Sequence, residues 1–179
     1  MQEKSKLGGF ERTVLPHLPA AYNLARWLTR NGHDAEDVVQ EAYLRAYRFF
    51  GTFRGGDSRS WLLKIVRNVY YTWIQQEHAR KLSTIADEEI ESIESHAPDP
   101  EARLLHDADS ARLRRALEQL PVEYREVIIL RELEELSYKE IADIAGIPLG
   151  TVMSRLARAR RRLQQGLMTG ESKEHPYEV

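Results

Sequence analysis

Five arginines and no acidic residue lie between residues 149 and 163, and they are spaced as on a helix. Guanidinium groups bind phosphates and base edges through paired hydrogen bonds, so this composition predicts nucleic-acid recognition. One face of the predicted helix is apolar and repeats at helical spacing: Val152, Leu156, Ala159 and Leu163. The opposite face centres on Ser154, Ala157, Arg158 and Arg161. The alternative is an ordinary helical hairpin with a solvated arginine face.

A short helix and a turn precede this segment and would position it. Ser137 and Glu140 have the spacing of a capping box, which begins a helix. Ile141, Ala142 and Ala145 give that helix a short apolar face, and residues 146–148 (Gly-Ile-Pro) stop it. A capped helix, a tight turn and a basic amphipathic helix together predict a helix-turn-helix, whose second helix enters the major groove.

Composition excludes several other kinds of chemistry. The chain has no cysteine, which rules out disulfides, thiolate metal sites and thiol catalysis. Its six histidines lack the spacing of metal ligands, and we find no nucleophile–base pair and no phosphate-binding glycine loop. We therefore expect neither an enzyme nor a cofactor. Residues 1–9 are polar and no apolar run is long enough to span a bilayer, so we expect no signal peptide and no membrane insertion.

Charge divides the chain into segments. Residues 1–81 carry thirteen basic and eight acidic side chains, residues 82–106 one basic and seven acidic, and residues 107–179 twelve basic and thirteen acidic. The net charge of −2 therefore conceals local basic surfaces, and local surfaces steer a polyanion. The acidic middle has little apolar periodicity, which predicts a flexible tether. Its charge either serves solvation or imitates nucleic acid in a basic channel.

The rest of the chain is helical in pattern, and strand alternation is essentially absent. Helices are predicted over residues 10–30, over 35–50 with Asp34 as N-cap, and over 58–80. The second of these has an apolar face made of Ala35, Val38, Val39, Ala42, Ala46 and Phe49. Residues 51–57 form a glycine-rich loop that holds one aromatic side chain, Phe53, which we expect to be exposed.

The third helix carries aromatic residues interleaved with cations. Its predicted apolar stripe is Trp61, Ile65, Val69 and Trp73, and Leu62 and Val66 widen it. Such a surface can stack unpaired bases while the cations hold the backbone. The alternative is that the tryptophans belong to the core. That alternative is favoured for Trp73, and it is balanced against base stacking for Trp61, which stands next to the glycine loop.

The sequence thus predicts an all-α protein of two small helical domains joined by an acidic flexible linker. The first domain is expected over residues 1–81, the linker over 82–106, the second domain with the helix-turn-helix over 107–165, and a frayed polar tail over 166–179. In the second domain a helix face is expected from Leu113, Ala116, Leu117 and Leu120. The next helix, packed by Val122, Val127, Ile128 and Leu130, is expected to end near Leu136.

Three motifs, in order along residues 10–165, resemble those of bacterial extracytoplasmic-function (ECF) sigma factors. DAEDVVQEAYLRAYR at 34–48 resembles their polymerase-binding helix. FRGGD at 53–57 and WLLKIVRN at 61–68 resemble their promoter-melting segment. LP at 120–121, LSYKEIA at 136–142 and GIPLGTVMSRLARAR at 146–160 resemble their upstream-element reader.

The resemblance implies a protein that binds core RNA polymerase and directs it to promoters. It implies contacts with the clamp coiled coil of the largest polymerase subunit, through Asp37, Gln40 and Glu41, and with the flap. It implies capture of the minus-ten element by Arg45, Phe53, Trp61, Arg67 and Asn68. It implies reading of the minus-thirty-five duplex by Thr151, Met153, Ser154, Arg155 and Arg158. An anti-sigma partner and a cytoplasmic location, with retention at the membrane by that partner, are further implications.

Departures from the family pattern bear on promoter sequence. Met153 stands where Lys or Arg is frequent, which replaces a polar contact with an apolar one. Thr72 and residues 75–76 (Gln-Gln) make the melting helix less basic than usual. Two other kinds of binding protein are compatible with the helix-turn-helix. One is a stand-alone regulator, which predicts a sensor or dimer interface, and the other is a sigma mimic that binds an anti-sigma factor.

Overall fold

The computed structural model describes residues 2–84 and 107–171, and the side chains of residues 7–80 and 110–168. Within these ranges every regular element is a helix, as the all-α prediction requires. The elements cluster into two compact units, one built mainly from residues 2–84 and the other mainly from residues 107–171. None of the described helices combines the length and the apolar composition that crossing a bilayer requires.

The first unit contains four α-helices and two short 3-10 turns. They are α1 (Gln2–Val14), a 3-10 turn (Leu15–His17), α2 (Leu18–Thr29), α3 (Gly32–Phe49), a 3-10 turn (Phe50–Thr52) and α4 (Ser58–Thr84). Pro16 accounts for the break after α1, because a proline lacks the amide that a continuous helix requires. Helices α2, α3 and α4 pack against one another, and α1 adds Phe10 and Val14 to their core.

The corner between α2 and α3 differs from its prediction. Arg30 ends α2 in the left-handed conformation, at φ 61°. Asn31, not Asp34, is the N-cap of α3, since its side-chain oxygen accepts a 2.9 Å hydrogen bond from the His33 amide. Asp34 lies in the first turn of α3, where a carboxylate still interacts favourably with the helix dipole. Both residues suit such a corner, and the turn after Arg30 selects the earlier one.

The buried faces of α3 and α4 were predicted in large part. Ala35, Val38, Val39, Ala42 and Ala46 are buried as expected. Phe49 is not, because 56% of it is exposed at the end of α3. In α4 the predicted Leu62, Val66 and Val69 are buried, but the core face is rotated toward Leu63 and Tyr70, which the predicted stripe did not include. Trp61, Ile65 and Trp73 lie half-buried at the edges of that face.

The second unit contains the predicted helix-turn-helix. Its elements are α5 (Asp107–Glu118), α6 (Val122–Ile128), a π-helical turn (Ile129–Leu133), α7 (Tyr138–Ala145) and α8 (Leu149–Glu171). Helix α8 packs against α5 and α6. The helix that begins at Val122 therefore ends at Leu133, close to the predicted end near Leu136. Leu113, expected in the core, is 42% exposed, whereas Ala116, Leu117 and Leu120 are buried.

Capping and turn residues position the two helices of the motif. The Ser137 amide donates to Glu140 Oε2 at 2.7 Å, and the Glu140 amide donates to Ser137 Oγ at 3.2 Å, which confirms the capping box. Gly146 follows α7 at φ 65°, a conformation that favours glycine and turns the chain into α8. Ile141, Ile144 and Ala145 form the buried face of α7, and Ala142 is only half-buried.

The last helix is longer than predicted. A frayed tail was expected from residue 166, but α8 continues to Glu171. Gly166 lies close to α5, since a Cβ added there would be 3.6 Å from Ala116 Cβ. An Arg112 guanidinium nitrogen also donates to the Leu167 carbonyl at 2.7 Å. These contacts with α5 stabilise the extra turns. Helix α4 likewise extends to Thr84, and the remainder of the predicted linker, 85–106, lies outside the described residues, as does 172–179.

Candidate nucleic-acid interface

The exposed side of α8 carries the residues expected to read duplex DNA. Met153, Ser154 and Arg158 are exposed, and Thr151 and Arg155 are half-buried beside them. Val152, Leu156 and Ala159 are buried on the opposite side, so the helix has one face in the core and one in solvent. Arg155 and Arg158 make no hydrogen bond or ion pair with any residue in the described part of the chain. Their guanidinium groups therefore remain available to a ligand.

Two other arginines of α8 are held against their own domain. Arg160 donates to Glu132 at 2.7 Å, and this hydrogen bond raises the pKa of the guanidinium further. Arg162 lies over the Tyr124 ring, with its guanidinium carbon 5.0 Å from the ring centroid. These two residues help to orient α8 on its neighbours. These four arginines of α8 thus fall into two groups: Arg160 and Arg162 contact side chains of their own domain, whereas Arg155 and Arg158 make no hydrogen bond or ion pair with the described residues.

The glycine loop ends in a capped helix. Asp57 Oδ1 accepts a 3.0 Å hydrogen bond from the Arg59 amide, and the Asp57 carbonyl accepts one from the Trp61 amide at 3.1 Å. The Ser60 hydroxyl also donates to the carboxylate. Burial alone would raise the pKa of Asp57, but these hydrogen bonds outweigh it and leave the pKa below its ordinary value. Gly55 and Gly56, at φ 87° and 96°, form the bend before this cap.

The aromatic side chains of this region are in contact with one another. The Phe53 and Trp61 rings lie 5.0 Å apart between centroids, at an angle of 42°. Phe53 also stacks on Phe50, at 6.2 Å and 17°. Phe53 is consequently half-buried, and the expectation that it would be exposed was wrong. Trp61 is half-buried too, with part of its surface open to solvent.

The remaining residues assigned to the minus-ten element occupy different environments. Asn68 is exposed on the same side of α4 as Trp61, two turns and about 10 Å further along the helix. Arg67 lies over the Tyr71 ring at 4.4 Å. Arg45 lies on α3, where its Nε donates to Glu41 at 2.6 Å. Arg45 is therefore ion-paired with Glu41, a residue that the family resemblance assigned to polymerase binding.

The exposed side of α3 carries the other predicted polymerase-binding residues. Asp37 and Gln40 are exposed, and Asp37 lies 4.0 Å from the His33 ring. Gln40 lines a shallow groove between α2 and α3. Its other lining residues are Leu18, Tyr22, Glu36, Val39 and Tyr43. The lining is mostly apolar, and burial raises the pKa of the phenol of Tyr43, one of its residues.

Sequence reasoning missed this groove and two buried charged residues of the second unit. Leu18 and Tyr22 are 42% and 39% exposed, and their i, i+4 spacing outside the main apolar face of α2 was an available signal. In the second unit Arg125 and Glu126 are buried, and Arg125 donates to the Glu118 and Leu120 carbonyls at 2.9 Å. Helical periodicity does not predict burial of such residues, because charged side chains are mostly exposed.

The described residues contain no group of three or more histidine and carboxylate side chains that could hold a metal ion. The observed surfaces instead present arginines, amides and aromatic rings on two units of one chain. Cationic and aromatic groups of this kind bind nucleic acid through phosphates, base edges and stacked bases.

Comparison with known families assigns a class to each unit. Residues 13–80 match the family described as sigma-70 region 2, and residues 110–163 match sigma-70 region 4. The two matches lie in this order on either side of the acidic segment. The fold is therefore that of a sigma-70-type transcription initiation factor.

Comparison with individual relatives indicates a more specific group within this class. The ECF RNA polymerase sigma-E factor of Escherichia coli is 39% identical over 137 residues, which cover 73% of this chain and 72% of that protein. The RNA polymerase sigma-H factor of Pseudomonas aeruginosa is 34% identical over 165 residues, covering 88% and 86%. The ECF sigma factor SigE of Mycolicibacterium smegmatis is 32% identical over 166 residues, and the chain spans 64% of its length.

A solved structure agrees with these relatives. The sigma factor RpoE of Bartonella quintana, crystallised with the anti-sigma factor NepR, matches with a TM-score of 0.72 and 32% identity. The match covers 89% of this chain and 97% of that one. The chain belongs to the ECF family of RNA polymerase sigma factors.

Proposed function

We propose that this chain binds core RNA polymerase and directs promoter-specific initiation of transcription. The observation that carries the proposal is the pairing, in one chain, of a region 2 unit with a region 4 unit whose α8 has an exposed arginine face. The chemistry of RNA synthesis would belong to the polymerase, and this chain would contribute recognition without an active site or a cofactor of its own.

The face of α8 would read the minus-thirty-five duplex. Arg158 is fully on the solvent side, and Arg155 stands one turn or less away, so both guanidinium groups would meet phosphates or base edges in the major groove. The exposed Met153 would contribute an apolar contact, for which a thymine methyl is the matching group. Thr151 would lie near a phosphate at the N-terminal end of the helix, where backbone amides favour an anion.

The glycine loop and α4 would capture the minus-ten element. Phe53 and Trp61 would receive an unstacked base, since their rings already form an aromatic surface that is partly open to solvent. Asn68 would hydrogen-bond a second, everted base about two turns away, and Arg67 would hold the strand. Arg45 would neutralise a phosphate, for which it would have to exchange its Glu41 partner.

The exposed side of α3 would bind the polymerase clamp coiled coil. Asp37 and Gln40 present acceptors to solvent, and Glu41 adds a carboxylate whose charge is shared with Arg45. The region 4 unit would bind the polymerase flap. The seven acidic residues of the segment 82–106, which we propose as the linker between domains 1–81 and 107–165, would suit a channel built for nucleic acid.

We further propose an anti-sigma factor as a partner, as in the RpoE–NepR complex. Such a partner would hold the chain in the cytoplasm or at the membrane until it is released. A stand-alone helix-turn-helix regulator is the less favoured alternative, because residues 13–80 match sigma-70 region 2 and not a sensor domain. The same match does not favour a role limited to sequestering an anti-sigma factor.

Transcription from a randomised promoter library tests the proposal without knowledge of the promoter. Core polymerase, with and without the purified chain, transcribes templates that are randomised around the minus-thirty-five and minus-ten positions, and the transcribed templates are sequenced. The chain should enrich a two-part motif that core polymerase alone does not enrich. Equal selection with and without the chain would refute the proposal, and a motif confined to one of the two positions would refute the role of the other unit.

A further inference from the structure

A row of aromatic rings runs from α1 to the glycine loop. Phe10, which is 6% exposed, makes edge-on contacts with Tyr43, Tyr47 and Phe50, at centroid distances of 6.1, 5.3 and 5.5 Å. Phe50 then stacks on Phe53, which contacts Trp61. The row therefore joins the first helix to the two aromatic residues that the proposed function assigns to the minus-ten element.

Phe50 is the link between the two ends of this row. It follows α3 and opens the 3-10 turn, and its carbonyl accepts a 3.1 Å hydrogen bond from the Phe53 amide. Its ring contacts Phe10 edge-on and Phe53 face to face. On the side of α1 the Phe50 ring lies close to Gly9, since a Cβ added there would be in van der Waals contact with the ring at 3.5 Å.

The loop needs such a support. Gly55 and Gly56 are both at positive φ, and no side chain or backbone atom lies near the Cβ that either of them lacks. Glycines in open space leave a backbone many accessible conformations. The Phe53 ring is consequently placed by the neighbours that it stacks on, and Phe50 is one of the two rings that it contacts among the described side chains.

We propose that Phe50 is a positioning residue for minus-ten recognition. It would touch no base, but it would hold Phe53 against Trp61 in the arrangement that receives one. This inference rests on the proposed function, because it assumes that Phe53 and Trp61 meet the promoter. Phe50 itself is not among the residues that the proposed function assigns to DNA contact.

Substitution of Phe50 by leucine tests the proposal, with Phe49→Leu as the matched control. Leucine keeps an apolar side chain but removes the flat face that stacks on Phe53. Phe49 is the same residue type one position earlier, it is 56% exposed, and its ring contacts no other aromatic ring among the described residues. If Phe50→Leu does not fold, Phe50→Met replaces it, because a flexible side chain fills the same space.

The measurement is the preference of holoenzyme for the minus-ten motif. Core polymerase with each variant binds single-stranded non-template oligonucleotides that carry either the motif selected by the library or single-base substitutions of it. Phe50→Leu should lower the ratio of these affinities on the order of two- to tenfold, the range expected for one aromatic pair. Phe49→Leu should leave the ratio unchanged, and both variants should bind core polymerase as the wild type does.

Three results would bear on the proposal differently. An unchanged preference in a folded Phe50→Leu holoenzyme would overturn it. The proposal would also be overturned if Phe49→Leu lowered the preference as much as Phe50→Leu does. The same holds if the preference fell only in proportion to weaker binding of core polymerase. In both cases general destabilisation would be the cause. A wild-type holoenzyme without any preference would instead refute the proposed function, which separates the two failures.

Discussion

Replacement of single arginines in α8 should separate DNA-reading residues from those that hold the helix in place. Arg158 is exposed and has no hydrogen bond or ion pair with the described residues, whereas Arg160, two positions later, donates to Glu132 at 2.7 Å. We expect Arg158→Ala to weaken binding to the minus-thirty-five duplex and Arg160→Ala to leave it nearly unchanged. The two substitutions remove the same charge from the same helix, so each is the control for the other.

The size of the effect follows from the contact that is lost. If Arg158 binds a base edge, its removal should cost about 1–3 kcal/mol, on the order of five- to 150-fold in affinity, at one position of the site. If it binds a phosphate instead, affinity should fall about equally for all sequences and the salt slope should decrease by about 1. Arg160 and Glu132 are both about half exposed, at 50% and 51%, so their ion pair should contribute about 0–1 kcal/mol to stability.

The assay is equilibrium binding of each holoenzyme to duplexes with single substitutions in the minus-thirty-five element, at several salt concentrations. Urea unfolding of each chain reports the accompanying change in stability. Equal losses of affinity for Arg158→Ala and Arg160→Ala would refute the division between the two residues. An unchanged sequence preference together with an unchanged salt slope in Arg158→Ala would show that this guanidinium is merely solvated.

Two further predictions concern stability. Asp57→Ala should destabilise the first unit by about 1 kcal/mol at pH 7, because an N-cap is lost. The pKa of Asp57 is lower in the folded than in the unfolded chain, so the ionised carboxylate stabilises the folded state at pH values above the ordinary pKa of 3.8. This contribution disappears as the pH falls through the lower, folded pKa. Urea unfolding should therefore show a difference between wild type and variant that shrinks below pH 4, and a constant difference would contradict this reasoning. Gly146→Ala should cost about 1 kcal/mol, because Gly146 is at φ 65° with open space around it, so the cost is conformational alone. Gly150→Ala, inside α8 and equally open, should be neutral or stabilising by up to about 1 kcal/mol, and equal destabilisation by both would argue against a conformational cause.

Local signals in the sequence predicted the helix-turn-helix closely. The two hydrogen bonds of the Ser137–Glu140 box depend only on residues three positions apart, and both are present. Gly146 at the end of α7 is likewise a local requirement of a left-handed turn. The buried Val152 and Leu156 follow from helical periodicity in a helix that packs on one side. Where neighbouring residues alone determine the structure, the sequence was sufficient.

Predictions failed where packing between helices decides the outcome. Periodicity placed Phe49 in the core and made Trp61 and Trp73 part of a central stripe, but the buried face of α4 passes through Leu63 and Tyr70 instead. A helix that contacts two others buries a wide face, and its centre depends on where those two helices lie. The extension of α8 beyond residue 165 has the same origin, because contacts with α5 stabilise turns that a polar sequence alone would leave frayed.

The candidate sites show the same limit. The i, i+4 spacing of Glu41 and Arg45 predicts an ion pair on α3, but motif resemblance assigned the two residues to different partners. If both proposed roles hold, the ion pair couples them, because a ligand that binds Arg45 would remove the partner of the Glu41 carboxylate. A polymerase contact at Glu41 and a phosphate contact at Arg45 should consequently influence each other, although neither residue lies in the aromatic row.

The packing of α8 also determines how many of its arginines can face a ligand. By composition, residues 149–165 carry a net charge of +5, and all five arginines are candidates to face a polyanion. Two of the five are held against their own domain, and one of these faces a carboxylate at 2.7 Å. The other three arginines are the candidates to face a polyanion, and their positions around the helix are set by the burial of Val152, Leu156 and Ala159. A chain with a net charge of −2 presents a cationic surface because helix packing decides which arginines meet solvent.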